Sequence, residues 1–121
     1  NALFRPEDID LAGLSCNLLH IGHLLLLDQF DAPGAQYGTA AARFLHTVQN
    51  AGIRTSIDIV SSTTADFPGK IIPVLKYSDY VIINEIECCG IWGIEPYENG
   101  KVNVDAIRTA MEKTMEELLA D

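Results

Sequence analysis

The chain has 121 residues, 48% of them hydrophobic and 21% charged, with a formal net charge of −9. That length suits one domain with a buried core, and the acidic balance excludes nucleic acid and anionic membranes as expected partners, because the 8 Lys and Arg form no run. The three cysteines, Cys16, Cys88 and Cys89, are odd in number and two are adjacent, which makes no disulfide framework and points to a cytoplasmic setting.

Residues 6–14, "PEDIDLAGL", predict a short helix, with Pro6 at a first helical position and Glu7 and Asp8 at its positive end. "NLLHIG", 17–22, predicts a strand buried on both faces, with Gly22 turning the chain out of the sheet. The apolar run 18–27 around it is too short to span a bilayer. The tetrapeptide His20–Ile21–Gly22–His23 spells the ATP-binding signature of class I aminoacyl-tRNA synthetases. It lacks the preceding Pro/Gly turn and the companion Lys-Met-Ser-Lys-Ser motif, so the expectation is a strand end. Residues 28–38 predict a loop, with Asp28 and Asp31 as turn formers.

"TAAARFLHTVQNA", 39–51, predicts a helix capped by Thr39 and stopped at Gly52, with Ala41, Phe44, Leu45 and Val48 on one face. "IRTSIDIV", 53–60, predicts a strand. A turn at 61–69 precedes a helical segment broken at Pro73. "DYVIIN", 79–84, predicts a third strand, "EIECCGIW" a short helix, and 93–101 a loop or hairpin. The last helix is capped by Asn103, with Ile107, Met111, Met115 and Leu118 marking its apolar face.

Strands alternating with helices give an α/β fold with about three parallel strands in order 1-2-3. Right-handed crossovers running one way across a sheet put the helices on one face and leave the other bare. The chain is therefore expected to be one α/β segment, 1–121, cut from the interior of a larger sheet, and to associate with a second copy or with the rest of its own chain.

Two places combine polar chemistry with a strand end. Asn84 and Glu87, in "NEIE", fall where the third strand meets a helix. That is a ligand position in open parallel sheets, and equally a helix-capping spacing. Asp58 lies inside an otherwise apolar or small-residue strand, where a carboxylate needs either a ligand role or a structural hydrogen bond to a neighbouring loop. Cys88 and Cys89 read as core thiols.

The ordered pieces "LLHIGHLLL", "AGIRTSIDIVSS" and "PVLKYSDYVIINEIE" resemble the middle of PfkB-type, ribokinase-like carbohydrate kinases. Asp79, Asn84 and Glu87 match that family's D-x-x-x-x-N-x-x-E pattern. The resemblance covers nearly the whole chain. It implies a three-layer Rossmann-like (ribokinase-like) fold, present in part, and transfer of the γ-phosphoryl group of ATP to a sugar hydroxyl. Asn84 and Glu87 would place the nucleotide, with Glu87 reaching magnesium through water, and Asp58 would touch the sugar. The family's Asp-x-Asn-x-Arg strand motif is reduced here to Asp58. Its Gly-Ala-Gly-Asp motif, which carries the base, and its paired-glycine lid segment are absent from the 121 residues. The resemblance thus implies a central portion, inactive by itself. A non-catalytic α/β interaction domain and a class I nucleotidyl transferase are the alternatives.

Overall fold

The computed structural model describes residues 6–13, 15–24, 33–34, 38–59 and 67–119. Asp28, Asp31 and the turn at 61–66 lie outside them. The elements are β1 (Leu18–Leu24), β2 (Pro33–Gly34), β3 (Gly38–Thr39), α1 (Ala40–Asn50), β4 (Arg54–Ile59), α2 (Phe67–Leu75), β5 (Tyr80–Ile82), α3 (Glu85–Ile91), β6 (Tyr97–Glu98), β7 (Lys101–Val102) and α4 (Val104–Leu119). Two 3-10 turns, Pro6–Asp8 and Leu11–Gly13, stand where one short helix was expected. Asp10 explains the break, because its carboxylate accepts from the Ala12 N–H and competes with helical pairing.

The main sheet has the order β1-β4-β5, and both pairings are parallel. Its register sorts the side chains. Leu19, Thr55, Ile21, Ile57 and Val81 share one face, while Leu18, Arg54, His20, Ser56, Tyr80, Asp58 and Ile82 share the other. The first face carries the core. Ile21, Ile57 and Ile59 pack there with Ala41, Ala42, Phe44, Leu45 and Val48 of α1, Ile71, Val74 and Leu75 of α2, and Ile91 of α3. On the second face Leu18, Tyr80 and Ile82 are 49%, 48% and 64% exposed. The described helices thus pack with the first face, and among the described residues no helix covers the far face. The strands survive there because they are not apolar throughout: β4 puts Arg54, Ser56 and Asp58 on that face, with Ser56 buried and hydrogen-bonded to His20.

Local chemistry sets the element ends. The Thr39 hydroxyl accepts from the Ala42 N–H at 3.1 Å and caps α1. Gly52, at φ 82°, takes the left-handed position after α1. Asn99 and Gly100, at φ 51° and 77°, close the β6–β7 hairpin. The expected break at Pro73 is not made: α2 starts at Phe67, within the expected turn, and runs on to Leu75 with Pro73 inside it, at the loss of one helical donor. The expected turn at Gly22 is not made, because β1 continues to Leu24. A register shift between Ile21 and Leu24 takes up the irregularity. All four residues of the synthetase-like tetrapeptide therefore lie within a strand and open no helix.

The final helix departs from its expected face. Met111 and Met115 are 53% and 55% exposed, whereas Ala110 and Thr114 are buried against Cys88 and Cys89. The small Ala110 permits close approach. The Thr114 hydroxyl accepts from the Trp92 indole N–H at 3.0 Å and donates to the Ala110 carbonyl at 2.9 Å. Satisfying the indole outweighs turning both methionines inward.

Leu45 is fully buried between α1 and the sheet. Leu45→Ala should lower the unfolding free energy by roughly 2–5 kcal/mol, read from the urea midpoint. A change smaller than that of an exposed-site control would contradict this packing.

Candidate functional site

Because the three main strands are parallel, their carboxyl ends meet at one edge, the usual ligand position of an open α/β sheet. Gly22, Asp58 and Asn84 lie at or beside this edge, on or just after β1, β4 and β5 respectively. Asp79, the first residue of the family-like pattern, sits before β5 at the opposite edge. Its carboxylate accepts from the Thr55 N–H at 2.8 Å and from the Gln49 amide at 3.4 Å. Asp79 is a structural clasp between β4, β5 and the end of α1. Four residues, Tyr80 to Ile83, separate it from Asn84, a span of roughly 16 Å in extended chain.

Asn84 and Glu87 are brought together by a complete capping box. The Glu87 N–H donates to Asn84 Oδ1 at 2.8 Å, and the Asn84 N–H donates to Glu87 Oε1 at 3.0 Å. Asn84 is exposed and Glu87 is half-buried. The arrangement fixes the orientation of a carboxylate at the strand tip and commits the Asn84 carbonyl to the helix. Magnesium keeps several waters and binds through one or two carboxylates plus phosphate oxygens. An oriented Glu87 fits that demand through water. Asn84 Oδ1 is engaged and fits it less well. Among the described residues there is no cluster of three or more His, Cys, Asp and Glu side chains able to hold a metal directly.

A groove of about 290 Å³ opens beside Asn84. Val81, Ile83, Met111, Met115 and Leu118 make its floor, and Asn84 and Glu85 stand in its lining. Apolar walls with a few polar groups are the usual form of a small-molecule cleft, at the low end of the common volume range. Glu85 is held in turn: the Tyr97 hydroxyl, on β6, donates to its Oε1 at 2.7 Å. That bond, with one from the residue's own backbone, draws the Glu85 carboxyl below its usual range, and pushes the Tyr97 phenol above its own. The hairpin thereby pins the start of α3. Burial, then the neighbouring Cys88, push the Cys89 thiol up, as expected of a core thiol.

Asp58 points to the open face. Its partner is a side chain on the adjacent strand: His20 Nε2 lies 3.0 Å from Asp58 Oδ2, and His20 Nδ1 lies 2.9 Å from Ser56 Oγ. A carboxylate oxygen accepts from Nε2–H, which leaves Nδ1 of a neutral ring to accept from the serine hydroxyl. His20 and Ser56 were not singled out together in the sequence, being 36 residues apart. Only the parallel register, which puts His20 opposite Ser56, joins them.

No protein-family model matches the chain, and searches of curated proteins and of solved structures return no match. Among the described residues no helix is long and apolar enough to cross a membrane.

Removing the cap should be measurable. Asn84→Ala should cost about 1 kcal/mol in chemical unfolding, and Asn84→Ser should recover much of it. Equal losses in the two variants would contradict the capping role. Tyr97→Phe should move the Glu85 titration midpoint up toward the ordinary carboxylate value in carboxyl-detected NMR, and an unmoved midpoint would contradict the contact. In the wild type this contact contributes above the ordinary carboxylate pKa and is lost as pH falls through the lowered Glu85 value. On the alkaline side it is present below the ordinary phenol pKa and is lost as pH rises through the raised Tyr97 value.

Proposed function

We propose that the chain is part of a PfkB-type, ATP- and magnesium-dependent sugar kinase, and that it carries the nucleotide edge of the site. The supporting observation is that Asn84 and Glu87 are held together at the carboxyl edge of a parallel sheet, and that Asn84 lines an apolar groove there. Asp58 lies near the same edge.

On this reading Glu87 holds the water shell of magnesium, and the capping bonds keep its carboxylate from swinging away. Magnesium, when bound, neutralises charge on the phosphate oxygens. Asn84 positions the phosphates through its side-chain amide. Asp58, aligned by His20, offers an acceptor to a sugar hydroxyl. The general base and the anion hole belong to the Gly-Ala-Gly-Asp segment, which these 121 residues do not contain. The chain alone therefore phosphorylates no sugar.

A second reading, an interaction domain without catalysis, is favoured by the large apolar side chains left exposed on the open sheet face and on α4. The two readings differ in their response to nucleotide. Titrating the ¹⁵N-labelled chain with a non-hydrolysable ATP analogue should shift the amides of residues 84–88 only when magnesium is present, and Glu87→Gln should weaken the response severalfold. An absence of magnesium-dependent shifts there would overturn the kinase reading, and turnover of any sugar by the wild-type chain would overturn its claim of inactivity.

A further inference from the structure

The open face of the sheet carries a pattern that complements itself. Register places Leu18 beside Arg54, then His20 beside Ser56 and Tyr80, then Asp58 beside Ile82, and Gly22, in the irregular stretch of β1, lies against the Asp58 carboxylate to complete the third row. The outer rows differ in charge and in size. One presents a guanidinium and a leucine, and the other presents a carboxylate and a glycine. A side chain added at Gly22 would come into van der Waals contact with the Asp58 carboxylate and the His20 ring, so this corner of the face is lined by their polar atoms.

We propose that this face docks on the same face of a second copy, with the strands of the two sheets antiparallel. The two-fold axis then lies along the middle row. It sets Arg54 of each copy opposite Asp58 of the other, and Leu18 of each over the Gly22 end of β1 of the other. Tyr80 meets its own counterpart across the axis. Two sheets packed this way stand about 10 Å apart with strands within about 30° of alignment, and a surface related by a two-fold must complement itself.

The apolar contribution comes from Leu18, Tyr80 and Ile82, which are exposed in the single chain. Charge fixes the orientation. If the strands ran parallel, Arg54 would face Arg54 and Asp58 would face Asp58, which is repulsive. The Arg54 guanidinium reaches Tyr80 Oη at 3.1 Å within its own chain, which holds it over the face. Each copy carries a formal net charge of −9, so long-range repulsion opposes docking and salt near physiological strength relieves it. The inference does not rest on the kinase reading. A docked copy covers Asp58, so the dimer is a form that holds no sugar at that residue.

Sedimentation equilibrium across a concentration series tests the proposal with charge reversals. The wild type should dimerise. R54D opposes two carboxylates, D58R opposes two guanidinium groups, and each should weaken self-association by about tenfold or more. An equimolar mixture of the two variants pairs opposite charges at both contacts and should restore a heterodimer. A monomeric wild type, single reversals without effect, or a mixture that stays monomeric would each overturn the proposal. If D58R fails to fold, Tyr80→Cys in a Cys16→Ser background decides instead. A short bis-maleimide should link two copies through residue 80, and failure to link would overturn the proposal.

Discussion

The parallel pairing of β4 between β1 and β5 is the constraint on which the rest depends. Parallel direction brings three carboxyl ends to one edge, so Asp58 and Asn84, 26 positions apart in the chain, reach one side of the molecule. The pleat then divides β4 between two faces, although Ser56, bonded to His20, is itself buried. Thr55, Ile57 and Ile59 go to the helices, and Arg54, Ser56 and Asp58 go to the open face. Both the candidate site and the polar network on the open face follow from that one strand.

A capping box at a strand tip serves two purposes with the same atoms. It satisfies the first donors of a seven-residue helix, which has little stability of its own. It also fixes the orientation of a carboxylate at the strand tip, where open parallel sheets usually take their ligands. The Tyr97–Glu85 contact adds a second restraint at the same turn. A kinase reading and a purely structural reading therefore assign the same hydrogen bonds and differ in what Glu87 does once nucleotide and metal arrive.

Local patterns were legible and long-range ones were not. Thr39, the apolar stripe of α1 and Gly52 define a helix whose ends and buried face match expectation, because all three signals are local. The strand order and the open face follow from topology alone. Gly22 at the end of an apolar run predicts a turn, whereas pairing with β4 carries β1 past it to Leu24. The Met111 and Met115 face was misassigned because hydropathy ignores the need of the Trp92 indole for an acceptor, which Thr114 supplies. The His20–Ser56–Asp58 network depends on the register of two strands, and no spacing within either strand reports it. Asp79 fits a linear pattern with Asn84 and Glu87, yet an intervening strand carries it to the opposite edge.

The most direct measurement of the central claim replaces magnesium with Mn²⁺ in the presence of nucleotide and maps paramagnetic broadening over the amides of the labelled chain. A ligand edge at the carboxyl ends of the strands predicts strong broadening at Asn84 and Glu87, weaker broadening at Asp58, and none at Asp79. Broadening centred on Asp79, or spread evenly over the acidic surface, would contradict the account.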